Sequence, residues 1–505
     1  MRASDLAVFD ALFCSIAEEM GAALERAATS VNIKERRDLS CALFDASGIL
    51  IAQAAHIPVH LGAMPLSVRA VLAKRPLRQG DVVLLNDPWA GGTHLPDITA
   101  VAAAGSFIVA NRAHHADVGG AAAGSLGLAR DIHAEGLRIP PVRIVRNGLF
   151  DEDLLDLFCA NVRAPKERRD DLIAQVATLK RGQARLEEAE ARFGLDRLLE
   201  VAAQLRTAAA DAARRVLESF EPGVHVFTDE MDGGLNIRVA LEARDGKLVV
   251  DFAGTHAQVT EPLNANLAVT WSAVTYSLAL LLPEETPLNE GVRDVLEIRA
   301  PEGSLVNASY PAPVAGGNVE TSQRIVDVVL GALHRAAPGK IPAASQGTMN
   351  NLTVGGDGFT YYETIAGGVG AGPKGPGASA LPSHMTNTRN TPIEFLENAT
   401  PLRVRTLRVA RGTGGAGRFF GGDGVLKEVE FLEPCTVHLL ADRRTRGPYG
   451  LEGGEPGKPG RDTLLRDGET IEIAGRVRID ARPGDRLTIR TPGGGGYGVI
   501  LRGSS

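Results

Sequence analysis

The sequence predicts a mixed α+β protein: an N-terminal α/β region with long helices, followed by a β-rich C-terminal region. Three observations carry this. Residues 165–192 and 194–220 are dense in Ala, Leu, Arg and Glu, the composition of long helices. After residue 222 the composition changes and strand-turn-strand patterns begin. From about residue 345, Gly and Pro clusters alternate with short β-rich runs. These changes divide the 505 residues into three expected regions, 1–222, 223–340 and 341–505.

In chain order, residues 4–29 set Leu6, Phe9, Leu12, Phe13, Ile16 and Met20 at helical spacing, with Ser4 and Asp5 as a start signal. CALFDASGILIAQA predicts a hairpin around Asp45-Ala46-Ser47-Gly48. His56 and His60 bracket IPV, and Pro58 argues for an extended segment. Residues 81–86 and 106–111 read as buried strands, with a loop from Asp87 to Thr99 between them. The two long helices are expected to form an antiparallel pair about Gly194. NIRVALEARDGKLVVDFAGT predicts two strands about an Asp-Gly turn. Residues 268–283 are apolar but contain Ser and Thr and end in Pro, so they read as a buried helix. GGNVETSQR at 316–324 offers polar groups at a helix start, either to hold a polar group of a substrate or, as the preferred reading, to cap the helix. Thereafter LRVRTLRVARG, VLKEVEFLEPCTVHLLADRR, TIEIAGRVRI and DRLTIR are strands, and the glycine clusters are expected as large loops.

The composition excludes several function classes. With 54 Lys+Arg against 61 Asp+Glu the net charge is −7, a poor basis for binding nucleic acid or an anionic membrane. Hydrophobic residues at 44% exclude global disorder. Four widely spaced cysteines show no C-x-x-C pair and are expected as buried, reduced thiols. The N-terminal stretch has acidic residues inside its apolar run, unlike a signal peptide. A soluble cytoplasmic protein is expected.

The strongest chemical pattern is NDPWAGGTHLPDIT, a strand, then ANRAHHADVGG. His94 and Asp97 leave one strand, and His114 and His115 leave the next. Neighbouring strand ends would bring two imidazoles and a carboxylate together as a facial N₂O set that leaves positions open for water and substrate. Asp87 and Asp117 are further ligands, orienters or bases in this reading. GTGGAG at 412–417 has the spacing of a dinucleotide fingerprint, but RFFGGDG follows it rather than a helix, so no such site is expected. No phosphate-binding Gly-Lys-Ser/Thr loop is present. ADRRTRGPYG at 441–450 reads as a basic cluster paired at the surface.

NDPWAGGTHLPDIT, AHHADVGG, EGLRIPP, SQGTMNNLTVGG, YYETIAGGVGAG, HMTNTRNTPIE, PYGLEGGEPG and TPGGGGYG run in order from about residue 30 to 498. Together they resemble the hydantoinase B/oxoprolinase family, which includes the B components of hydantoinases and the C-terminal half of ATP-dependent 5-oxoprolinase. The resemblance implies a hetero-oligomer. A hydantoinase A-type partner holds ATP and Mg and phosphorylates an oxygen of a small lactam; the B-type component then completes ring opening at a metal. It implies metal ligands at His94, Asp97 and His114, with His115 as the fallback, and a divalent ion such as Zn, Mn or Fe. Beside these, His115, Asp117, Glu135 and His60 are expected in the pocket for proton transfer or ligand orientation. A lactam bearing a carboxylate would call for an arginine, with Arg112, Arg324 and Arg443 as candidates. The alternative activity within the family is the α subunit of an ATP-dependent ketone carboxylase, and a third reading is a non-catalytic scaffold for the A-type partner.

Overall fold

The computed structural model describes residues 3–54 and 56–500. Its helices are α1 (Ala3–Ala27), α2 (Val31–Lys34), α3 (Pro58–Leu61), α4 (Met64–Lys74), α5 (Ile132–Glu135), α6 (Glu152–Ala160), α7 (Pro165–Phe193), α8 (Leu195–Glu218), α9 (Leu267–Ala279), α10 (Glu290–Asp294), α11 (Ser322–Ala336) and α12 (Ile393–Ala399). No helix among the described residues is long and apolar enough to cross a membrane.

The first sheet contains β1 (Leu39–Asp45), β2 (Leu50–Gln53), β3 (Val82–Leu85), β4 (Asp97–Ala104), β5 (Phe107–His114), β6 (Val142–Arg146) and β7 (Leu149–Phe150), in the order β2-β1-β5-β4-β3-β6-β7. Every pairing is antiparallel. The expected hairpin is β1–β2. The expected loop from Asp87 to Thr99 is shorter, because β4 begins at Asp97 and separates β3 from β5. Its sequence, DITAVAAA, is rich in alanine, a residue depleted in strands. All eight of its residues are nevertheless buried, so packing on both faces outweighs propensity.

The long helices form as expected, but not as an antiparallel pair. α7 lies along α1: Arg181 and Arg185 meet Glu19, and Asp171 Oδ1 accepts from the amides of Thr29 and Ser30. α8 diverges after Gly194. Its first half, Leu198, Val201 and Leu205, joins the first core, while Ala209, Ala213 and Leu217 join the second.

The second sheet contains β8 (Val224–Met231), β9 (Leu235–Arg244), β10 (Lys247–Asp251) and β11 (Leu296–Arg299), ordered β11-β10-β9-β8. The β9–β10 turn places Asp245 at φ 51° and Gly246 at φ 69°, the left-handed pair that Asp-Gly favours. Residues 268–283 supply the buried helix α9, which packs with α11 against this region.

The last region holds β12 (Asn351–Gly356), β13 (Phe359–Thr364), β14 (Leu402–Ala410), β15 (Gly424–Phe431), β16 (Cys435–Leu440), β17 (Arg461–Arg466), β18 (Glu469–Ile473), β19 (Arg476–Ala481) and β20 (Arg486–Arg490). They form two sheets, β13-β12-β16-β19 and β14-β15-β20-β17-β18, enclosing Leu352, Val437, Leu439, Val429, Phe431 and Leu487. The glycine clusters are not loose loops. Residues 367–377, 412–424, 447–460 and 491–498 bond one another through the backbone, as in Gly494 N to Gly422 O (2.9 Å), Gly422 N to Val369 O (2.8 Å) and Gly496 N to Glu455 O (2.9 Å). The basic cluster at 441–450 is also different from the expectation. Arg443 is buried against Asp229 and Asp327, and Arg444 pairs with Asp462. Of the four free cysteines, Cys41 and Cys435 are buried, whereas Cys14 and Cys159 are partly exposed.

Candidate metal centre

The β4–β5 ladder builds the site. Asp97, the first residue of β4, lies directly opposite His114, the last of β5. His94 reaches the same point from the turn before β4. His94 Nε2, Asp97 Oδ1 and His114 Nδ1 form a nearly equilateral triangle, with edges of 3.1 Å from Asp97 to each imidazole and 3.2 Å between the imidazoles. All three residues are buried. Edges of this length would suit three donors sharing one ion at ordinary bond lengths of about 2.0–2.2 Å. The donor chemistry fits a cation. Three lone-pair-bearing atoms converge on one centre, and protons cannot satisfy all three contacts at once. The carboxylate is buried, and its ion-pair contacts are all to imidazoles.

The surroundings orient this set. Asp97 Oδ2 accepts from Thr93 Oγ1 (2.5 Å) and contacts His60 Nε2 (3.2 Å), and His60 Nδ1 meets Ser40 Oγ (2.8 Å). Oδ1 therefore remains free for an ion. Asn318 Nδ2 lies 3.3 Å from His94 Nε2, Asp38 Oδ2 lies 3.9 Å from His114 Nδ1, and Tyr362 stacks on His114 at 5.0 Å. Burial alone would raise the pKa of Asp97, but His94 and His60 hold it well below the carboxylate range. Burial disfavours charge on His94, yet Asp97 outweighs it and raises that pKa; for His114 burial prevails and the pKa is lowered. The free side of the triangle opens on a cavity of about 20 Å³ lined by Asp38, His60, Asn318, Tyr362, Thr364 and Thr386, among others.

The other expected residues divide. His60 joins the cluster, carried by the short helix α3 rather than by an extended segment, because Pro58 occupies the first helical turn, where its missing N–H costs nothing. His56 stays outside, its Nδ1 accepting from Cys41 N and its pKa lowered to about 4 chiefly by burial. His115 does not join: successive residues at the strand end face opposite ways, and its Nε2 meets Gln175 at 2.8 Å beneath α7. Asp117 is turned away as well, held by Arg163 and the amides of Gly119 and Gly124. Glu135 lies one contact further out. Its Oε1 accepts from Ala315 N (2.9 Å), and burial pushes Glu135 to about 8. Asp87 caps the turn at Trp89. Arg112, Arg324 and Arg443 are all committed internally, to Thr99 and Ser67, to Asp442, and to Asp229 and Asp327. Asp38 is not singled out by the sequence, and Thr93, Asn318, Tyr362, Thr364 and Thr386 lie within its motifs without an assignment to the site. Asn318 belongs to the expected helix cap, which is instead a π-helical turn, Gly317–Thr321, with no capping side chain.

The family model described as hydantoinase B/oxoprolinase matches residues 3–500. The 5-oxoprolinase 1 of Arabidopsis thaliana is 40% identical over 98% of this chain, which spans only 41% of that protein. The B component named for a D-/L-hydantoinase of a Pseudomonas species is 29% identical, over 96% of this chain and 88% of its own. Among solved structures, the ATP-dependent caprolactamase of Pseudomonas jessenii superposes with a TM-score of 0.92 at 28% identity, covering 99% of this chain and 92% of that one. An acetone carboxylase superposes at 0.88 over 98% of this chain and 76% of that one; at 18% identity it shows the fold alone.

Proposed function

The chain belongs to the hydantoinase B/oxoprolinase family, and from that premise we propose that it is the metal-dependent ring-opening component of an ATP-dependent cyclic amidase of the 5-oxoprolinase or hydantoinase type. The observation that carries this reading is the buried triangle of His94, Asp97 and His114 with one side open to a cavity. A non-catalytic scaffold has no need of that set.

A planar amide resists attack because its resonance must be broken. Phosphorylation of its oxygen, assigned here to an A-type ATP-binding partner, turns the ring carbon into an imidate-like electrophile with a good leaving group. A divalent ion supplies Lewis acidity and lowers the pKa of water to about 7. His94, Asp97 and His114 would hold it. His60 and Thr93 would fix Asp97 through its second oxygen, leaving Oδ1 for the ion. The partner reading is supported by the single-chain 5-oxoprolinase relative, of which this chain spans 41%, and by the component named in the hydantoinase relative. No feature of the site favours ketone carboxylation.

The test is to purify the chain with its ATP-binding partner, measure bound metal, and follow ADP release with 5-oxoproline, hydantoin and caprolactam, and with acetone plus bicarbonate. His94→Ala and His114→Ala are expected to lose metal and to cut lactam turnover by at least a hundredfold while keeping the fold. Full turnover in both variants would refute the reading.

A further inference from the structure

Across the cavity from the triangle, the wall comes from two stretches without a role so far: Tyr362 to Thr364 at the end of β13, and Met385 to Thr388. Thr364 and Thr386 both line the cavity. Behind them Arg36 is fully buried. Its Nη1 donates to Tyr362 O (3.0 Å), its Nη2 donates to Thr364 Oγ1 (3.2 Å) and Thr388 Oγ1 (3.3 Å), and its guanidinium stacks over the Tyr362 ring at 4.9 Å. Among the described residues, no carboxylate pairs with Arg36. A buried guanidinium without an acid is costly.

The hydroxyls can be counted. Thr388 Oγ1 contacts Thr364 Oγ1 (2.8 Å) and Thr386 Oγ1 (3.2 Å). Three hydroxyl protons serve two such contacts, so one proton is left over. Thr388 already accepts from Arg36, and it donates to only one neighbour. Whichever neighbour donates back to it, the other keeps its proton, and both of these neighbours face the cavity. The wall therefore offers a hydroxyl donor to whatever enters. Formal charge agrees: a divalent ion and Arg36 against Asp38 and Asp97 leave one positive charge. About 20 Å³ of free space, room for roughly one water, lies between this wall and the triangle.

We propose that Arg36, Thr364, Thr386 and Thr388 form an anionic-oxygen subsite facing the His94–Asp97–His114 triangle. Whichever of Thr364 and Thr386 keeps its proton donates to the oxygen, and Arg36 is a positioning residue that orients them. The ligand is a carboxylate, such as one borne by the lactam. This inference rests on the ring-opening reading only for its kinetic arm.

The binding arm titrates formate, the smallest carboxylate, into the metal-replete chain by calorimetry, with neither ATP nor lactam present. The Thr364→Val/Thr386→Val double variant is expected to weaken formate binding tenfold or more, as loss of a charge-assisted hydrogen bond requires. Arg36→Met should do the same without touching the ligand, and Thr386→Ser in the wild-type background should bind normally. In the kinetic arm, a raised KM for 5-oxoproline but not for caprolactam identifies a substrate carboxylate; an unchanged KM for both would overturn that identification. Folded, metal-replete double-valine protein that binds formate like the wild type would overturn the subsite, as would a wild type that binds none. Loss of lactam turnover in the wild-type complex would sink the ring-opening reading and leave the formate result standing.

Discussion

Asp97 divides its two oxygens between two tasks. Oδ2 is taken by Thr93 and His60, so Oδ1 alone faces His94 and His114. Glu320 shows the opposite situation. Its Oε1 accepts from Met349 N (2.9 Å) and Asn351 Nδ2 (2.7 Å), its Oε2 is unpartnered, and burial pushes its pKa to about 8. Between pH 4.5 and 8 the native state keeps a proton that the unfolded chain has released. Stability from this group is thus present at low pH and is lost as pH rises through that interval. Glu320→Gln should flatten this dependence, removing a few kcal/mol of difference between pH 5.5 and 8, as read by urea unfolding at the two pH values. Equal slopes in variant and wild type would refute the buried neutral acid. The triangle was legible in the sequence because two histidine clusters and several carboxylates crowd into one short stretch about neighbouring strand ends, in motifs that resemble a known family. Asp38 was not, because it is an ordinary polar residue until β1 pairs with β5, and Asn318 stands only within a segment that reads chiefly as a cap, until the turn before α11 tightens into a π-helical form.

Elements place these residues by how closely they can approach. Long helices and hairpins with Asp-Gly or Ser-Gly turns were readable from periodicity and turn chemistry. β4 was not, since alanine carries no strand signal and only burial between β3 and β5 makes it one. α3 illustrates approach most directly. Gly62, just after α3, packs on α9 so tightly that a Cβ would fall 2.5 Å from Ser272 Cα and 2.6 Å from Ser272 N, both backbone atoms that cannot rotate aside. Arg293 Nη1 also binds Gly62 O at 2.7 Å. Gly62→Ala must therefore displace α3, and with it His60. The expected outcome is a metal affinity weakened about tenfold or more, the range for a lost supporting contact, although no ligand is altered. Competition with a chelator measures it, and unchanged affinity in a folded variant would show that α3 does not set the position of Asp97.

At the scale of the whole molecule the cavity is a meeting place. The triangle and His60 come from the first region, Asn318 from the second, and Tyr362, Thr364 and Thr386 from the third. Arg36 and the Arg443 pairs with Asp229 and Asp327 tie the third region to the others, and within it the glycine segments form a layer whose backbone bonds join residues 367–377 to 491–498 directly after the strand that carries Thr364. Sequence composition pointed to glycines needing positive φ or close approach, and in this layer close approach prevails. A Cβ on Gly494 would fall on the Val369 carbonyl and within 2.6 Å of Gly370 N. Gly372 belongs to the same layer, yet its Cβ would meet nothing nearer than Pro342 Cβ at 3.8 Å, and neither glycine has positive φ. The pair separates packing from conformational strain. Gly494→Ala should cost about 3 kcal/mol, the upper range for overpacking, because backbone is the obstacle; Gly372→Ala should change stability by no more than about 0.5 kcal/mol. Thermal and urea unfolding of both variants decide the matter. If Gly494→Ala were as stable as Gly372→Ala, the layer would not be a rigid brace behind the threonine wall, and that wall would be positioned by the sheets and by its contacts to Arg36.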